Sequence, residues 1–226
     1  NINFTLGNTY SYQNFNSHIF QILDNQFRND LNAPENNNNV NYSFNDVFLG
    51  AHFKFITGKF TFNPGVSIHN YFMKNEQLDS DFDRNFFRVL PDVYALYQIK
   101  KSETLTYNFN LQNDFTDIAQ LAEGTIFSSY RSLFRGQRNL ENALSQNHTL
   151  AYFKFNMFNQ TNVSGRINYN RRVDAVKRIA SFEGINQTST PFNSNFADET
   201  LSGSLRYGRS FARYYKASVG ASLNWS

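Results

Sequence analysis

The stretch LSGSLRYGRSFARYYKASVGASLNW, Leu201 to Trp225, consists of two segments in which apolar and hydrophilic residues alternate. In the second segment the apolar series is Tyr215, Ala217, Val219, Ala221, Leu223 and Trp225. The residues between them are Lys216, Ser218, Gly220, Ser222 and Asn224. A period of two residues is typical of a β-strand with only one face in apolar surroundings. Both segments are longer than most strands of soluble sheets, so the stretch predicts a membrane-spanning hairpin with its turn at Ala212-Arg213.

The composition agrees with a membrane barrel and argues against several other classes of protein. The 226 residues include 25 Phe and 13 Tyr, and the mean hydropathy is -0.55. No apolar run approaches the roughly 18 residues of a membrane helix, whereas a barrel strand needs only about 9 to 11 residues, half of them facing water. The chain has 0 Cys, which excludes disulfides and thiolate metal sites. A net charge of +3 with scattered basic residues argues against nucleic-acid binding.

The same alternation recurs along most of the chain and predicts about ten antiparallel strands. We expect them at residues 2–12, 14–24, 44–57, 59–73, 86–100, 103–112, 148–158, 162–175, 199–211 and 213–225. One of the apolar faces is expected to consist of Ala151, Phe153, Phe155 and Met157. The chain is therefore expected to be all-β, with residues 1–226 forming a single segment of an antiparallel up-and-down transmembrane β-barrel.

The connections between the predicted strands alternate in length. Short ones are expected at Gln13-Asn14, Thr57-Gly58-Lys59, Lys100-Lys101-Ser102, Asn159-Gln160-Thr161 and Ala212-Arg213. Long ones are expected at residues 25–43, which include the Asn-rich PENNNNVN, and at 74–85, 113–147 and 176–198. Outer-membrane barrels have short periplasmic turns and long extracellular loops. Aromatic residues also concentrate near the short connections, as expected for a girdle at the membrane interface.

The predicted inward faces carry mainly small polar residues. Examples are Thr5, Gly7, Thr9 and Ser11 near the N-terminus and Ser218, Gly220 and Ser222 near the C-terminus. Ten strands that close by themselves form a lumen only slightly wider than that of an eight-stranded barrel, which side chains nearly fill. A wall of Gly, Ser, Thr and Asn suits a wider lumen that holds water or a plug. We therefore expect these strands to belong to a larger barrel.

Residues 90–155 resemble a known family of membrane barrels. The segment LPDVYALYQIKKSETLTYNFNLQNDF combines Pro91-Asp92, a short turn at Lys100-Lys101 and a strand that ends in an Asn-rich piece. The later stretch GQRNLENA, residues 136–143, lies where that family has Gly-Asn-Pro-x-Leu-x-Pro-Glu, with Gln137-Arg138 in place of Asn-Pro and Asn142-Ala143 in place of Pro-Glu. Together these features resemble the C-terminal β-barrel half of Bacteroidota-type TonB-dependent outer-membrane receptors.

The resemblance implies a barrel of about 22 strands in the cell outer membrane, together with an N-terminal plug domain and a TonB box. It also implies active import of a large or scarce nutrient. Neither plug nor TonB box is recognisable in these residues, so the plug domain, and TonB through it, would be partners from another part of the protein. Outer-membrane lipid and lipopolysaccharide are the other expected partners.

The longest predicted loop contains the candidate ligand contacts. Arg131, Arg135 and Arg138 lie within residues 113–147, and guanidinium groups bind anions well. The alternative is that basic residues near strand ends border the membrane interface. The run Asp79 to Asp83 has the alternating carboxylates of a calcium loop, but the positions where such a loop has Gly and Glu are not matched, which favours an acidic surface loop. We expect no metal site and no cofactor.

The sequence contains no pattern typical of an enzyme. There is no Gly-x-Ser-x-Gly motif, and no Ser can be assigned to a particular His and Asp. The four histidines, His18, His52, His69 and His148, lie on different predicted strands and are expected to line the barrel.

The sequence therefore favours a barrel segment of a TonB-dependent nutrient transporter, in which the polar wall lines the solute pathway and the long loops contact ligand. One alternative is a self-contained ten-stranded outer-membrane barrel that acts as an adhesin, porin, protease or lipase. Another is a soluble antiparallel β protein that binds glycans. The residues do not indicate which solute is transported.

Overall fold

The computed structural model describes residues 1–24, 26–31, 33–158, 160–211 and 215–226, and strands make up most of them. The strands are β1 (Ile2–His18), β2 (Phe20–Ile22), β3 (Arg28–Asp30), β4 (Asn37–Phe53), β5 (Phe55–Thr57), β6 (Phe60–Gln77), β7 (Ser80–Lys100), β8 (Glu103–Asp114), β9 (Thr125–Ser129), β10 (Ser132–Arg135), β11 (Ala143–Asn156), β12 (Thr161–Val173), β13 (Val176–Glu183), β14 (Asn186–Asn193), β15 (Asp198–Phe211) and β16 (Tyr215–Trp225). A 3-10 turn at Pro34–Asn36 and the short helix α1 (Ile118–Leu121) complete the described elements. Within those residues, no helix has the length and apolar character needed to cross a membrane.

The main body is one antiparallel sheet, here called the wall. It has 10 strands, and the hydrogen-bonded order β1-β4-β6-β7-β8-β11-β12-β15-β16 follows the chain. The tenth, β5, continues the course of β4 beyond Lys54 and pairs with β6. Among the described residues β1 pairs only with β4 and β16 only with β15, so the wall is not closed. The predicted antiparallel up-and-down architecture is confirmed, with nine strands in the hydrogen-bonded order and β5 as the tenth.

The wall has an apolar face and a polar face because side chains alternate along each strand. In the opening stretch Leu205 is the register partner of Ala221, and Ser204 is the partner of Ser222. Cross-strand partners lie on the same face of the sheet, so the two predicted series separate as expected. The apolar face exposes large side chains, and Leu205 itself is 57% exposed.

The N-terminal region differs from the prediction. Residues 2–12 and 14–24 were expected to form two strands with a turn at Gln13-Asn14, but β1 runs without interruption from Ile2 to His18. Gln13 pairs with Tyr42 and Asn14 pairs with Asn41. The prediction was wrong because polar residues that suit a turn also suit the polar end of a long strand, where pairing with β4 decides the conformation.

Two predicted loops are also strand. The region 74–85 forms the end of β6 and the start of β7, joined by the two-residue turn Leu78-Asp79, whose φ angles are 50° and 55°. Two adjacent positive φ angles are typical of the tight turns that join hairpin strands. The Asn run in PENNNNVN belongs to β4, and Val40 within it is 0% exposed. The prediction that this stretch belongs to a long loop was wrong, because β1 pairs with this part of β4 and the inner side of the strand is covered by residues near Gly124.

The apolar face predicted from Ala151, Phe153, Phe155 and Met157 was also wrong. Ala151 pairs with Thr106 and Arg166, and Phe153 pairs with Thr104 and Ser164, so both lie on the polar face. The apolar face of β11 is formed by Leu150 and Tyr152 instead. Both faces of this strand contain large side chains, so the alternation alone did not distinguish them.

The predicted alternation of short and long connections holds except between β6 and β7, whose two-residue turn lies at the same end of the wall as the long connections. Gly58, with φ 55°, lies in the turn between β5 and β6, and Lys101-Ser102 joins β7 to β8, as predicted. The turn predicted at Ala212-Arg213, and Asn159 in the turn between β11 and β12, lie outside the described residues. At the other end, β9, β10, β13 and β14 form a separate sheet in which β10 and β14 are parallel. We call these the short-turn end and the long-loop end.

Candidate functional site

The connection from β8 to β11, residues 115–142, folds over the polar face of the wall at the long-loop end. Leu121 and Leu140 pack with Tyr42 in a small buried core. The ring of Phe115 lies 4.4 Å from that of Phe44 and 5.3 Å from that of Tyr71, both in edge-on geometry. Edge-on aromatic contacts are favourable beyond the area that they bury. We call residues 115–142 the inner connection.

Polar side chains of the wall hold the inner connection by its backbone. The Gln77 side-chain amide donates to the carbonyl of Leu121 at 2.8 Å and accepts from the backbone N–H of Glu123 at 3.0 Å. The Asn38 side chain accepts from the backbone N–H of Gly124 at 2.8 Å. Asn38 and Gln77 are only 5% and 4% exposed, so these bonds satisfy groups that water does not reach. The position of the inner connection is therefore fixed by the wall.

Burial in this region also changes the acidity of a wall tyrosine. Tyr42 pairs with Asn75, and the neighbouring positions on the opposite face are Asn41 and Lys74, so this level lies beyond the apolar band. Burial under the inner connection disfavours the charged phenolate and raises the pKa of Tyr42 to about 12. The phenol is therefore neutral at physiological pH and serves as packing surface.

The three predicted ligand arginines occupy different environments. Arg138 donates to the Glu123 carboxylate at 2.9 Å through Nε and to the hydroxyl of Ser80 at 2.6 Å, and its side chain is only 12% exposed. Arg135 is exposed and donates through Nε to the carbonyl of Glu123 at 3.0 Å. Arg131 is exposed in the turn between β9 and β10. Arg131 and Arg135 are separated by about 13 Å of strand, so the arginines do not form one cluster.

Below the inner connection the polar face carries a row of stacked rings. Phe48 stacks on His69 with ring centroids 5.0 Å apart, and His69 stacks on Tyr71 at 5.4 Å. Phe86 lies 5.0 Å from Tyr71, and the guanidinium of Arg88 lies 5.5 Å from Phe86. Aromatic faces with a nearby guanidinium offer stacking and cation–π contacts to a solute. We call Phe48, His69, Tyr71 and Phe86 the aromatic row.

His69 also links a carboxylate to a hydroxyl, an arrangement that the sequence did not predict. Its Nδ1 lies 2.9 Å from Asp46 Oδ1, and its Nε2 lies 3.1 Å from Ser67 Oγ. The Ser67 hydroxyl donates to the carbonyl of Leu90 at 3.3 Å. These hydrogen bonds orient the His69 ring within the aromatic row. The pattern was missed because Asp46, on β4, reaches Ser67 and His69 of β6 only through the register of the two strands.

The histidines differ in the face that they occupy. His52 and His69 lie on the polar face, and His52 Nε2 is 3.0 Å from Asp92 Oδ1. His148 lies on the apolar face as the register partner of Phe109, and its Nδ1 forms a hydrogen bond of 2.8 Å with the Tyr107 hydroxyl. The prediction that all four line the barrel interior was wrong for His148 and also for His18, which pairs with Asn37 in the same series as Val47 and Leu49. Among the described residues no group of three or more His, Asp and Glu could hold a metal ion.

Nearer the short-turn end the polar face is open and basic. Arg166 and Arg206 project from β12 and β15 at neighbouring register positions and are both exposed. Within the described ranges neither guanidinium has a hydrogen-bond or ion-pair partner. The surrounding residues include Ser164, Ser204 and Gly208, which leave the guanidinium groups uncovered. The alternation predicted Arg166 on this face. Its proximity to Arg206 follows only from the register of β12 and β15.

Substitution of Asn38 tests how the inner connection is held. In Asn38→Ala the buried N–H of Gly124 loses its acceptor, which we expect to destabilise the closed position by about 1 kcal/mol. Amide hydrogen exchange at Gly124 should then accelerate about fivefold, while exchange in β12 stays unchanged. Asn39→Ala is the matched control, since Asn39 lies on the opposite face of the same strand. Equal acceleration in both variants would contradict this assignment.

A family model described as outer membrane protein beta-barrel family matches residues 1–226. The chain belongs to this family. As a member of the outer membrane protein beta-barrel family, it is located in the cell outer membrane. The apolar face of the wall therefore contacts lipid and the polar face lines the lumen. No curated protein sequence matches the chain significantly.

Solved structures share the fold of this family member. The copper transporter OprC matches with a TM-score of 0.72 at 9% sequence identity, covering 99% of this chain and 35% of that chain. The FrpB iron transporter from Neisseria meningitidis matches with a TM-score of 0.50 at 12% identity, covering 82% of this chain and 26% of that chain. The chain thus spans about a third or less of the length of these structures, and the likeness concerns their fold.

Proposed function

We propose that this chain is the barrel segment of a TonB-dependent nutrient transporter, and that its polar face is part of the solute pathway. The observation that supports this proposal most directly is the inner connection, which packs on the polar face rather than on the lipid face. A loop folded inward over the polar face narrows a wide lumen on one side. That arrangement suits a barrel that admits a selected solute, whereas an adhesin needs its loops directed outward.

The proposal assigns an orientation to the wall. The short-turn end faces the periplasm and the long-loop end faces the outside of the cell, in agreement with the general construction of outer-membrane barrels. Residues 1–226 then act as one barrel segment, and the plug domain would contact the polar face from within the lumen. TonB is the energy-transmitting partner, and outer-membrane lipid with lipopolysaccharide surrounds the apolar face. The Bacteroidota type remains a prediction from the resemblance of residues 90–155.

The proposal also divides the basic residues by role. Arg131 and Arg135 are exposed at the long-loop end and are suited to a first contact with an anionic solute. Arg138 supports the inner connection through Glu123. Arg166 and Arg206 would contact the same solute deeper in the lumen, since their guanidinium groups are exposed and unpaired among the described residues. The solute class favoured by this distribution is an anionic or anion-bearing nutrient.

Energised uptake is the experiment that tests the proposed function. Cells that carry the full-length protein are compared with deletion cells for accumulation of a panel of labelled anionic nutrients, with and without a protonophore. We expect at least one solute to accumulate only in cells with the protein and only when the proton-motive force is intact. Uptake that persists after the protonophore is added would identify a diffusion pore and overturn the proposal, as would the lack of any transported solute.

Removal of the two lumen arginines should slow the entry of that solute. In the double variant Arg166→Gln and Arg206→Gln we expect uptake at low ionic strength to fall by about tenfold, because electrostatic steering by a focused positive field is lost. The difference should shrink at high salt, where charges are screened. Arg209→Gln is the control, because Arg209 lies on the apolar face with its guanidinium 4.9 Å from the Phe211 ring. A salt-independent loss, or an equal loss in Arg209→Gln, would contradict the assignment.

A further inference from the structure

The apolar face contains a groove that crosses several strands of the wall. It has a volume of about 420 Å³, and its lining includes Leu105, Tyr152, Gly165, Gly203, Leu205 and Ala221. Gly203 is the register partner of Ile167, and Leu205 is the partner of both Gly165 and Ala221. Small residues on three adjacent strands thus leave a depression between larger apolar side chains. The groove lies in the surface that contacts lipid.

The floor of the groove is open space. A Cβ atom built on Gly203 meets no atom within 4 Å, and one built on Gly165 meets only Leu205 Cδ1 at 3.5 Å and the Ser204 carbonyl oxygen at 3.9 Å. Neither glycine has a positive φ, so the backbone does not require glycine at these positions. An unfilled depression forfeits dispersion contacts along its whole lining. A flexible hydrocarbon chain that lies along the floor restores those contacts.

A charged cluster lies at the end of the groove that points toward the short turns. The Tyr152 hydroxyl donates to Glu103 Oε1 at 2.7 Å, and Lys154 Nζ lies 3.8 Å from Glu103 Oε2. Lys100 is the register partner of Glu103 on the neighbouring strand, which brings a second ammonium to the cluster. Lys154 is 41% exposed although its carboxylate partner is only 11% exposed. Two ammonium groups beside one carboxylate leave a net positive charge at the membrane interface.

The groove and the cluster are joined through one residue. Tyr152 lines the groove with its ring and contacts Glu103 with its hydroxyl, and Lys154 follows two residues later on the same face. Two residues of strand correspond to about 7 Å, which is a short step from the acyl region to the headgroup region. An apolar groove that ends in a basic cluster matches a molecule with an acyl chain attached to a phosphate.

We propose that this groove binds one glycerophospholipid of the periplasmic leaflet, with an acyl chain over Gly165 and Gly203 and the headgroup phosphate at Lys154 and Lys100. The choice of the periplasmic leaflet rests on the proposed function and its orientation of the wall, whereas the measurement of lipid binding does not depend on transport activity. Because lipid tails compete equally for any apolar surface, specificity comes from packing in the depression and from the headgroup contacts.

Native mass spectrometry of the full-length protein, extracted in mild detergent, tests this site. We expect the wild type to retain one phospholipid. The new side chain in Gly203→Leu fills the depression without a clash, so the fraction of protein that retains phospholipid should fall by about fivefold or more. Lys154→Gln should reduce retention by about fivefold, the effect of one basic side chain near a phosphate surface. Val89→Phe is the matched control, because it adds carbon atoms to the apolar face of β7 outside the groove.

Each outcome bears on the proposal. Loss of the phospholipid in Gly203→Leu and Lys154→Gln, with retention in Val89→Phe, supports it. Equal retention in Gly203→Leu and wild type would overturn it, as would an equal loss in Val89→Phe. Retention of lipopolysaccharide in place of phospholipid would also overturn it, because the headgroup cluster would then face the other leaflet. For every variant, the gel mobility of heated and unheated samples is compared to show that the barrel is folded.

Discussion

Leu205→Arg should prevent stable insertion of the barrel, whereas Ser204→Arg should have little effect. Leu205 pairs with Ala221 near the centre of the apolar series of β16, so its side chain lies close to the middle of the bilayer. An Arg at that depth on the lipid face destabilises a barrel by about 2–4 kcal/mol. Ser204 is its immediate neighbour and faces the lumen opposite Ser222, where a guanidinium stays in water.

The measurement is the free energy of unfolding of the full-length protein in lipid bilayers, together with the fraction recovered in the outer membrane. The two variants share the new side chain and differ by one position, so the net charge is the same in both. A similar loss of stability in both variants would contradict the assignment of faces. A loss in Ser204→Arg alone would mean that the register is shifted by one residue, since such a slip exchanges the two faces.

Arg138→Ala should release the inner connection from the wall. The guanidinium contacts the Glu123 carboxylate at 2.8 Å, the Ser80 hydroxyl at 2.6 Å and the Gln77 carbonyl at 3.3 Å. Glu123 is only 30% exposed, so its carboxylate is left partly buried without this partner. Hydrogen bonds to charged groups contribute about 1.5–3 kcal/mol each, and we expect the closed position to lose about 2 kcal/mol in total.

A loss of that size corresponds to a roughly thirtyfold increase in the open population. It is measured as protease cleavage within residues 118–137 of the full-length protein in intact outer membranes. Arg131→Ala is the control, because Arg131 is exposed in the β9–β10 turn. If cleavage increases equally in both variants, Arg138 has no special structural role. If Arg138→Ala instead weakens solute binding while protease cleavage stays at the wild-type level, Arg138 is a ligand contact, as the sequence predicted.

The sequence was sufficient for the architecture because the alternation is long and repeated. In β15 and β16 most register pairs join either two apolar or two hydrophilic residues, with Arg209 as an exception on the apolar face, so one segment already indicates which face contacts lipid. The short turns at Gly58 and Lys101-Ser102 were recognisable from their residue types, since Gly and Ser are favoured in tight turns. The family resemblance rested on residues 90–155, and the match of the family model extends over 1–226.

The remaining features depend on contacts between residues distant in sequence. Asn37 to Val40 have the composition of a loop, and their strand conformation comes from pairing with β1 and burial beneath Gly124. The role of Arg138 could not be read from its loop, because Glu123 reaches it only after the connection has folded back over β6. His69, Asp46 and Ser67 are likewise joined by the register of β4 and β6. Local patterns determine strands and faces, whereas the site is assembled by register and by the return of a loop.

The parallel pairing of β10 with β14 makes the two long connections mechanically dependent on each other. Ser132 to Phe134 belong to the inner connection and pair with Gln187 to Ser189 of the connection between β12 and β15. Asn193 reinforces this link, since its side chain accepts from the Glu141 N–H at 2.7 Å and donates to the Glu141 carbonyl at 2.9 Å. A solute that displaces one connection must therefore move the other or break this pairing. The pairing therefore couples the two connections, so that a force applied to one is transmitted to the other.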